Sequence, residues 1–409
     1  MLKSIQSKLR QVPFLVSLWR SLYRARQLIF RVHPKRLYDI DLRKGKYQPL
    51  GSRALLSYIV HPFSIPRDDP GFLRHINIWH AQEIVRILNE LGYTVDVIDY
   101  RDTTFIPRRM YDLFIGHGGI NFENIAARLA DSTIKICFST GCYWRFHNEQ
   151  ELARLTALYD RRGIKLPPDR FINDSEEAAL LAADGIIGLG NDFTRQTYAG
   201  FSPVIMINGT ALSDNHYEQV QKDFEVGRKH FLYYAGGGNV HKGLDLLLEV
   251  FLQLEGHHLW ICTRIERQFK EVYSEALLNR PNIHVVGWVQ PRSSQYYEVI
   301  NRCHWAILPS CSEGQAQSVV DCMNQGLIPV VSQACGLDIG DYGVMTDPCT
   351  IDEIARVVLM LSTYSTTQCR EMSSRARHVA VTDFSEAAFH RNMKNAIQYV
   401  LGLGTKGNT

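Results

Sequence analysis

The sequence predicts an α/β protein built from two doubly wound domains that face a central cleft. Three observations predict it. The chain has 409 residues, too many for one ordinary hydrophobic core. From residue 52 onward, short apolar runs alternate with longer stretches of helical periodicity, the pattern of parallel sheets covered by helices on both faces. That alternation is broken once, by the polar stretch 214–228, and then starts afresh. A composition of 45% hydrophobic and 21% charged residues is that of a globular chain rather than a disordered one.

Residues 1–46 stand apart as a basic amphipathic segment. They hold twelve Lys/Arg and two acids, Asp39 and Asp41, a net +10 against +3 for the whole chain, so the remainder carries −7. Leu15, Leu18, Leu22, Ala25, Ile29 and Val32 recur at helical spacing, with Arg20, Arg24 and Arg31 largely off that stripe. Such a helix suits an anionic membrane surface, where each basic residue adds roughly 1 kcal/mol. Packing against the body of the protein is the alternative. A nucleic-acid partner is not expected, because the charge is terminal and carries no recognition motif.

Residues 47–220 read as the first domain. A strand at 53–60 is followed by a loop with three prolines and a helix over 75–91, where Ile76, Trp79, His80, Ile84, Ile87, Leu88 and Leu91 share a face. Gly92 stops that helix. Strands are expected at 94–98, 112–116, 134–138, 185–189 and 204–207. Residues 221–383 repeat the theme, with strands near 231, 258, 283, 305 and 328, and a last helix covers 384–401. Ligands in such sheets gather beyond the carboxyl ends of the strands. The nine cysteines are scattered, with no Cys-x-x-Cys and no zinc spacing, and read as buried free thiols in a reducing compartment. No leader is evident and no uncharged run approaches the ~20 residues of a bilayer span, so a cytoplasmic location is expected, peripheral at the inner face of a membrane.

Two segments carry chemistry. In the first, the apolar run 305–308 ends at Pro309, a loop carries Glu313, and a short helix carries Asp321 eight residues later. Gly326 stops the helix and 327–331 returns as a strand. The unpaired N–H groups of a helix N-terminus suit a phosphate, and flanking carboxylates accept hydrogen bonds from hydroxyls. A phosphate between polyhydroxylated rings describes a nucleotide sugar. The plain alternative is a pair of solvated acids on an ordinary strand–loop–helix unit. In the second segment, the strand at 231–235 runs into Gly236-Gly237-Gly238-Asn239-Val240-His241-Lys242-Gly243 and then an apolar helix. Glycines allow close backbone approach, and Lys242 is a point charge for a diphosphate.

Together and in this order, these segments resemble the retaining GT-B glycosyltransferases of group 1 (family 4-like). The resemblance is specific over about 230–350 and topological over 52–210. It implies that Glu313 contacts the donor sugar, that Asp321 stands where a Glu holds the ribose, and that Lys242-Gly243 belongs to the donor-phosphate loop. Gly236, Gly237, Gly238, Gly314, Gln315 and Ser318 join that donor site, the amides of Gln315 and Gln317 as extra hydrogen-bond donors. The closing helix is expected to cross back to the first domain. Three departures stand out. Asp321 is one methylene short. The family's Glu-Gly-Phe-Gly reads Glu313-Gly314-Gln315-Ala316 here. The family's Arg, five or six residues before the Lys, is replaced by Gly236 and Gly237. Arg264 can supply the missing charge or be a solvated loop residue; a protonated His241 is a weaker candidate.

Acceptor chemistry is expected from the first domain. His117 follows a strand, in a catalytic role or as part of a glycine turn. Ser139 and Thr140 stand where the family often has a His, and His147, on what reads as a longer loop, can restore an imidazole. Arg145 is either an acceptor contact or a surface residue. The resemblance implies transfer of a sugar, with retention, from a nucleotide diphosphate sugar to a hydroxyl of a saccharide or lipid-linked acceptor, in the synthesis of cell-surface saccharide or glycolipid. It implies no cofactor and no metal, and no Asp-x-Asp cluster is poised to hold one. The alternatives are a nucleotide-sugar epimerase or phosphorylase on the same fold, or a non-catalytic sugar-nucleotide binding protein.

Overall fold

A computed structural model describes residues 35–43, 51–66, 69, 71–72, 75–201, 203–212 and 222–406. The amphipathic helix expected within residues 1–34 lies outside the described residues, as does most of the expected linker.

Two sheets organise the chain. The first contains β1 (Arg36–Ile40), β2 (Ser52–Tyr58), β3 (Tyr93–Asp99), β4 (Leu113–His117), β5 (Ile134–Ser139), β6 (Gly185–Leu189) and β7 (Val204–Ile207), in the order β1-β3-β2-β4-β5-β6-β7. The second contains β8 (His230–Tyr234), β9 (His258–Cys262), β10 (Ile283–Val285), β11 (Trp305–Leu308), β12 (Ile328–Val331) and β13 (Val344–Met345), in the order β10-β9-β8-β11-β12-β13. All pairings are parallel except β1 on β3. Alternate side chains of one strand enter different cores, as helices on both faces require. On β2, Ala54, Leu56 and Tyr58 face one core and Leu55 the other; on β8, Phe231 and Tyr233 oppose Leu232.

Each sheet reverses its strand order once, and a crevice opens there. In the first sheet the reversal falls between β2 and β4, with His117 at the carboxyl end of β4. In the second it falls between β8 and β11, so the glycine loop after β8 and the Glu313 loop after β11 come together.

The basic segment hides one strand that its composition did not suggest. β1 lies antiparallel on β3 as an edge, with Leu37 and Ile40 packed against the core. Asp39 draws Arg53 to 2.6 Å and Arg109 to 2.9 Å, and Arg36 reaches Asp102 at 2.6 Å. Two inward apolar residues were too few to register against the surrounding charge.

Two helices tie the domains together. The closing helix, Glu386–Lys406, places Phe389, Met393, Ile397 and Val400 in the core of the first sheet. The helix Trp144–Arg162 begins beneath the first sheet, yet Leu158 enters the core of the second. Its Arg161 pairs with Asp245 at 2.5 Å, and Arg154 donates to the Pro309 carbonyl at 2.7 Å. No described helix is long and apolar enough to cross a membrane. The nine cysteines are free thiols, eight of them buried and Cys349 partly so.

Candidate functional site

The two chemistry-bearing loops meet through their charged residues. Lys242 Nζ lies 2.5 Å from Glu313 Oε1, although 71 residues separate them in sequence. Ser310 Oγ donates to the same carboxylate oxygen at 2.9 Å. Burial alone would raise the Glu313 carboxyl; the charges of Lys242, then His241 and Arg170, outweigh it and hold the carboxyl at about 2. Beyond Glu313 the helix Gln317–Asn324 begins at Ala316, with no side chain capping it. No side chain therefore satisfies its first N–H groups, the Ser318 backbone among them.

The glycine loop differs from expectation in one respect. Glu266 fills part of it: its carboxylate accepts from the N–H of Gly238 at 2.9 Å and of Asn239 at 3.3 Å. Asn239 reciprocates, accepting from Glu266 N at 3.0 Å and donating to the Arg264 carbonyl at 3.1 Å. Those two amides are thus satisfied from within the protein, leaving Gly236, Gly237 and Lys242 to face an anion. Arg264 itself is exposed and sets its guanidinium over the Trp288 ring, 5.5 Å from the centroid.

Gly314, Gln315 and Gln317 bind the other domain in place of the ligand expected for them. Gln315 accepts from Gly209 N at 2.6 Å and donates to Asn208 Oδ1 at 2.9 Å. Gln317 donates to Thr210 O at 2.7 Å. Gly314 must lack a side chain because its Cα faces the Thr140 carbonyl, and a Cβ would collide with it. Its own carbonyl accepts from Thr194 Oγ1 at 2.8 Å, and Cys142 Sγ donates to the Glu313 carbonyl at 2.7 Å. The physical reason is a closed cleft: the loop after β11 is pressed onto the 139–142 and 208–210 loops.

Asp321 is also committed. It pairs with Arg292 at 3.3 Å and accepts from Gln317 at 3.4 Å. Burial raises its carboxyl above the ordinary range, against the pull of Arg292 and of His75 at the start of the helix Ile76–Glu90. A carboxylate in this setting reaches a ribose only by sharing itself with Arg292.

On the first domain, His117 Nδ1 donates to the Phe138 carbonyl at 3.0 Å, leaving Nε2 as an acceptor. Tyr58 and Tyr100 pack edge-on at 5.2 Å, and burial keeps the imidazole below its ordinary pKa, against the opposing effect of the Phe138 carbonyl. Among the described residues its contacts are confined to the first domain. Ser139 is buried beside Cys137 and does not line the crevice; Thr140 offers its backbone to Gly314. Arg145 is neutralised by Glu177 at 2.5 Å.

His147 lies in the first turn of the helix Trp144–Arg162, where a longer loop was expected. Its Nε2 donates to the Arg170 carbonyl at 2.7 Å, and burial, then the His241 charge, brings it down to about 4. One turn on, Glu151 Oε2 meets His241 Nδ1 at 2.6 Å, and His241 Nε2 meets the Ser312 carbonyl at 2.7 Å. A carbonyl only accepts, so Nε2 carries a proton and Nδ1 shares another with Glu151. His147, Glu151 and His241 have ligating atoms within 4.8 Å of one another, and Cys311 Sγ is 3.5 Å from His241 Nδ1. Two ligands of a tetrahedral zinc stand about 3.3 Å apart; the 2.6 Å contact is that of a hydrogen bond, and the cluster is a hydrogen-bonded one. Sequence reasoning missed Glu151, Arg170, Glu266 and Arg292. Only Glu151 left a trace, four residues after His147 on a helix.

Comparison with known proteins agrees with this geometry. The family description "Glycosyl transferases group 1" matches residues 228–363. No curated protein matches the chain in sequence. Among solved structures, sucrose-phosphate synthase from Thermosynechococcus elongatus superposes with a TM-score of 0.57 at 13% identity, covering 86% of this chain and 100% of that one. HepE from Anabaena, solved with UDP and glucose, gives 0.52 at 12%, covering 85% and 99%. TarM gives 0.51 at 14%, covering 69% of this chain and 54% of TarM, so the match spans about half of TarM's length. At these identities the likeness is one of fold. The chain has the GT-B fold, and its residues 228–363 match the family of group 1 glycosyl transferases.

Proposed function

We propose that the protein transfers a sugar from a nucleotide diphosphate sugar to a hydroxyl acceptor, with retention at the anomeric carbon. The observation that carries this reading is the Lys242–Glu313 pair, set where the second sheet reverses and beside an uncapped helix N-terminus. A diphosphate takes the Lys242 ammonium, and the freed Glu313 carboxylate, ionised at neutral pH, accepts hydrogen bonds from the sugar hydroxyls. The bond between the anomeric carbon and the diphosphate oxygen breaks, and the acceptor oxygen bonds to that carbon on the same face. The acceptor proton passes to a leaving-group oxygen, so no side chain need serve as base. Lys242 and the helix amides stabilise charge where it develops, usually the largest catalytic contribution. The closed cleft keeps water from the donor. The acceptor is a saccharide or a lipid-linked saccharide at the cytoplasmic face of a membrane, to which the basic residues ahead of β1 attach.

The test is a thermal-shift screen against UDP-, GDP-, ADP- and dTDP-sugars, followed by turnover with the donor that raises the melting temperature. Transfer only when a hydroxyl acceptor is supplied is the expected result. Donor epimerised or phosphorolysed in place of transfer assigns the chain to another reaction. Binding without turnover across a broad acceptor panel makes it a sugar-nucleotide binding protein.

A further inference from the structure

The loop that carries Lys242 offers a ligand no second cation of its own: His241 is buried and spends both ring nitrogens on Glu151 and the Ser312 carbonyl, and Arg264 rests on Trp288. A positive charge reaches the loop from the other domain. Arg170 follows the helix Trp144–Arg162, and its stem lies against Gly238: a Cβ built there would come 2.7 Å from Arg170 Cγ and 2.9 Å from Cδ. Gly238 also has a φ of +80°, so glycine is required on both counts. The Arg170 side chain is exposed, and among the described residues its guanidinium makes no hydrogen bond or ion pair. Its charge is nonetheless felt at Glu313.

An unpaired surface arginine is usually a mobile one, but the backbone of this one is fixed. The N–H groups of Asp169 and Arg170 donate to Glu151 Oε1 at 2.8 and 3.0 Å. The Arg170 carbonyl accepts from His147, and Asn148 holds Ile172 from both sides, at 2.8 and 2.9 Å. All these anchors stand on the first two turns of one helix. Through Glu151 and His241 that helix reaches the residue next to Lys242 and the Ser312 carbonyl next to Glu313. The chain therefore positions the Arg170 backbone firmly, sets its stem against Gly238 and leaves its head group unsatisfied.

Building on the transferase reading, we infer that Arg170 is the second cation of the diphosphate site, supplied across the cleft by the first domain. Lys242 approaches the diphosphate from the second domain and Arg170 from the first, so the site is complete only when the two meet. The nucleotide then holds the domains together, and their separation releases it. A charge placed on the glycine loop itself would bind the diphosphate equally well open or closed.

Isothermal titration of the full chain with UDP, GDP, ADP and dTDP tests this. If the wild-type protein binds none of them, the transferase reading itself fails. With the nucleotide that binds, Arg170→Gln is expected to weaken the diphosphate about tenfold to a hundredfold. The matching nucleoside should change less than about threefold, since it makes no phosphate contact. Arg170→Lys, which keeps the charge but not the fork, should fall between. Unchanged diphosphate affinity in Arg170→Gln overturns the inference and leaves the transferase reading standing. Equal losses for nucleoside and diphosphate also overturn it, because they mark a structural role.

Discussion

The two sheets end in crevices of opposite character. At the reversal of the second sheet the walls are charged: Lys242 and Glu313 in contact, Asp321 with Arg292 nearby, and an uncapped helix behind them. At the reversal of the first sheet the wall is aromatic, with His117 uncharged among Tyr58, Tyr100 and Phe138 and the Arg101 guanidinium over the Tyr100 ring. A diphosphate needs the first kind of surface and a saccharide hydroxyl face needs the second. Under the proposed function, leaving-group chemistry falls to one domain and acceptor shape to the other.

The contrast is broken most severely by removing charge from the second domain. Lys242→Ala should lower kcat about a hundredfold to a thousandfold, the cost of losing one preorganised electrostatic contact. It also leaves Glu313 buried without its closest partner. Initial rates with donor in excess measure the effect; a loss below tenfold would place the leaving-group charge elsewhere.

Glu313 gives the next largest effect, through pH. Its carboxyl is held at about 2 in the folded protein, against an ordinary value of 4.5. The folded value is depressed, so the stability it contributes is present above pH 4.5 and is lost as pH falls toward 2. Melting temperatures taken across that window should fall more steeply for the wild type than for Glu313→Gln. Parallel curves would mean that Lys242 does not hold the carboxylate in solution.

A smaller effect is expected where the loops close on each other. Gln315→Ala removes the acceptor for Gly209 N and the donor to Asn208, a loss of about 1–2 kcal/mol in stability. If these contacts only hold the cleft shut, kcat should fall with domain closure while the affinity for the nucleoside part of the donor stays close to wild type.

The same contrast explains what the sequence disclosed. The donor half is made of local units, strand into loop into helix, and each unit carries its own chemistry within a dozen residues. Lys242, Glu313 and the strands beneath them were therefore legible; the return of the closing helix was expected from the family resemblance alone. Roles set by contact between distant segments were not. Gln315 looked like a ligand contact until Asn208 and Gly209 arrived opposite it. His147 read as part of a longer loop, yet it lies in the first turn of a 19-residue helix. Arg170 sits after two prolines in a stretch without motif or period, and only the fold brings it to Gly238.

The smallest expected effect falls on the aromatic wall. Burial keeps the His117 imidazole below its ordinary value of 6.5, against the raising effect of the Phe138 carbonyl, so the ring is already uncharged at neutral pH. A lowered folded value means that the stability of the neutral ring is complete above 6.5 and declines as pH falls below it. His80, His147 and His304 are also lowered by burial and add to any acid loss, so the test is a difference between variants. His117→Gln keeps a donor for the Phe138 carbonyl and removes the titration. Its melting temperature should gain on the wild type as pH falls below 6.5, with kcat at pH 7.5 down by about threefold to tenfold for the altered acceptor wall. If its rate instead fell as far as that of Lys242→Ala, the first domain would contribute chemistry as well as shape, and the division between the two crevices would not hold.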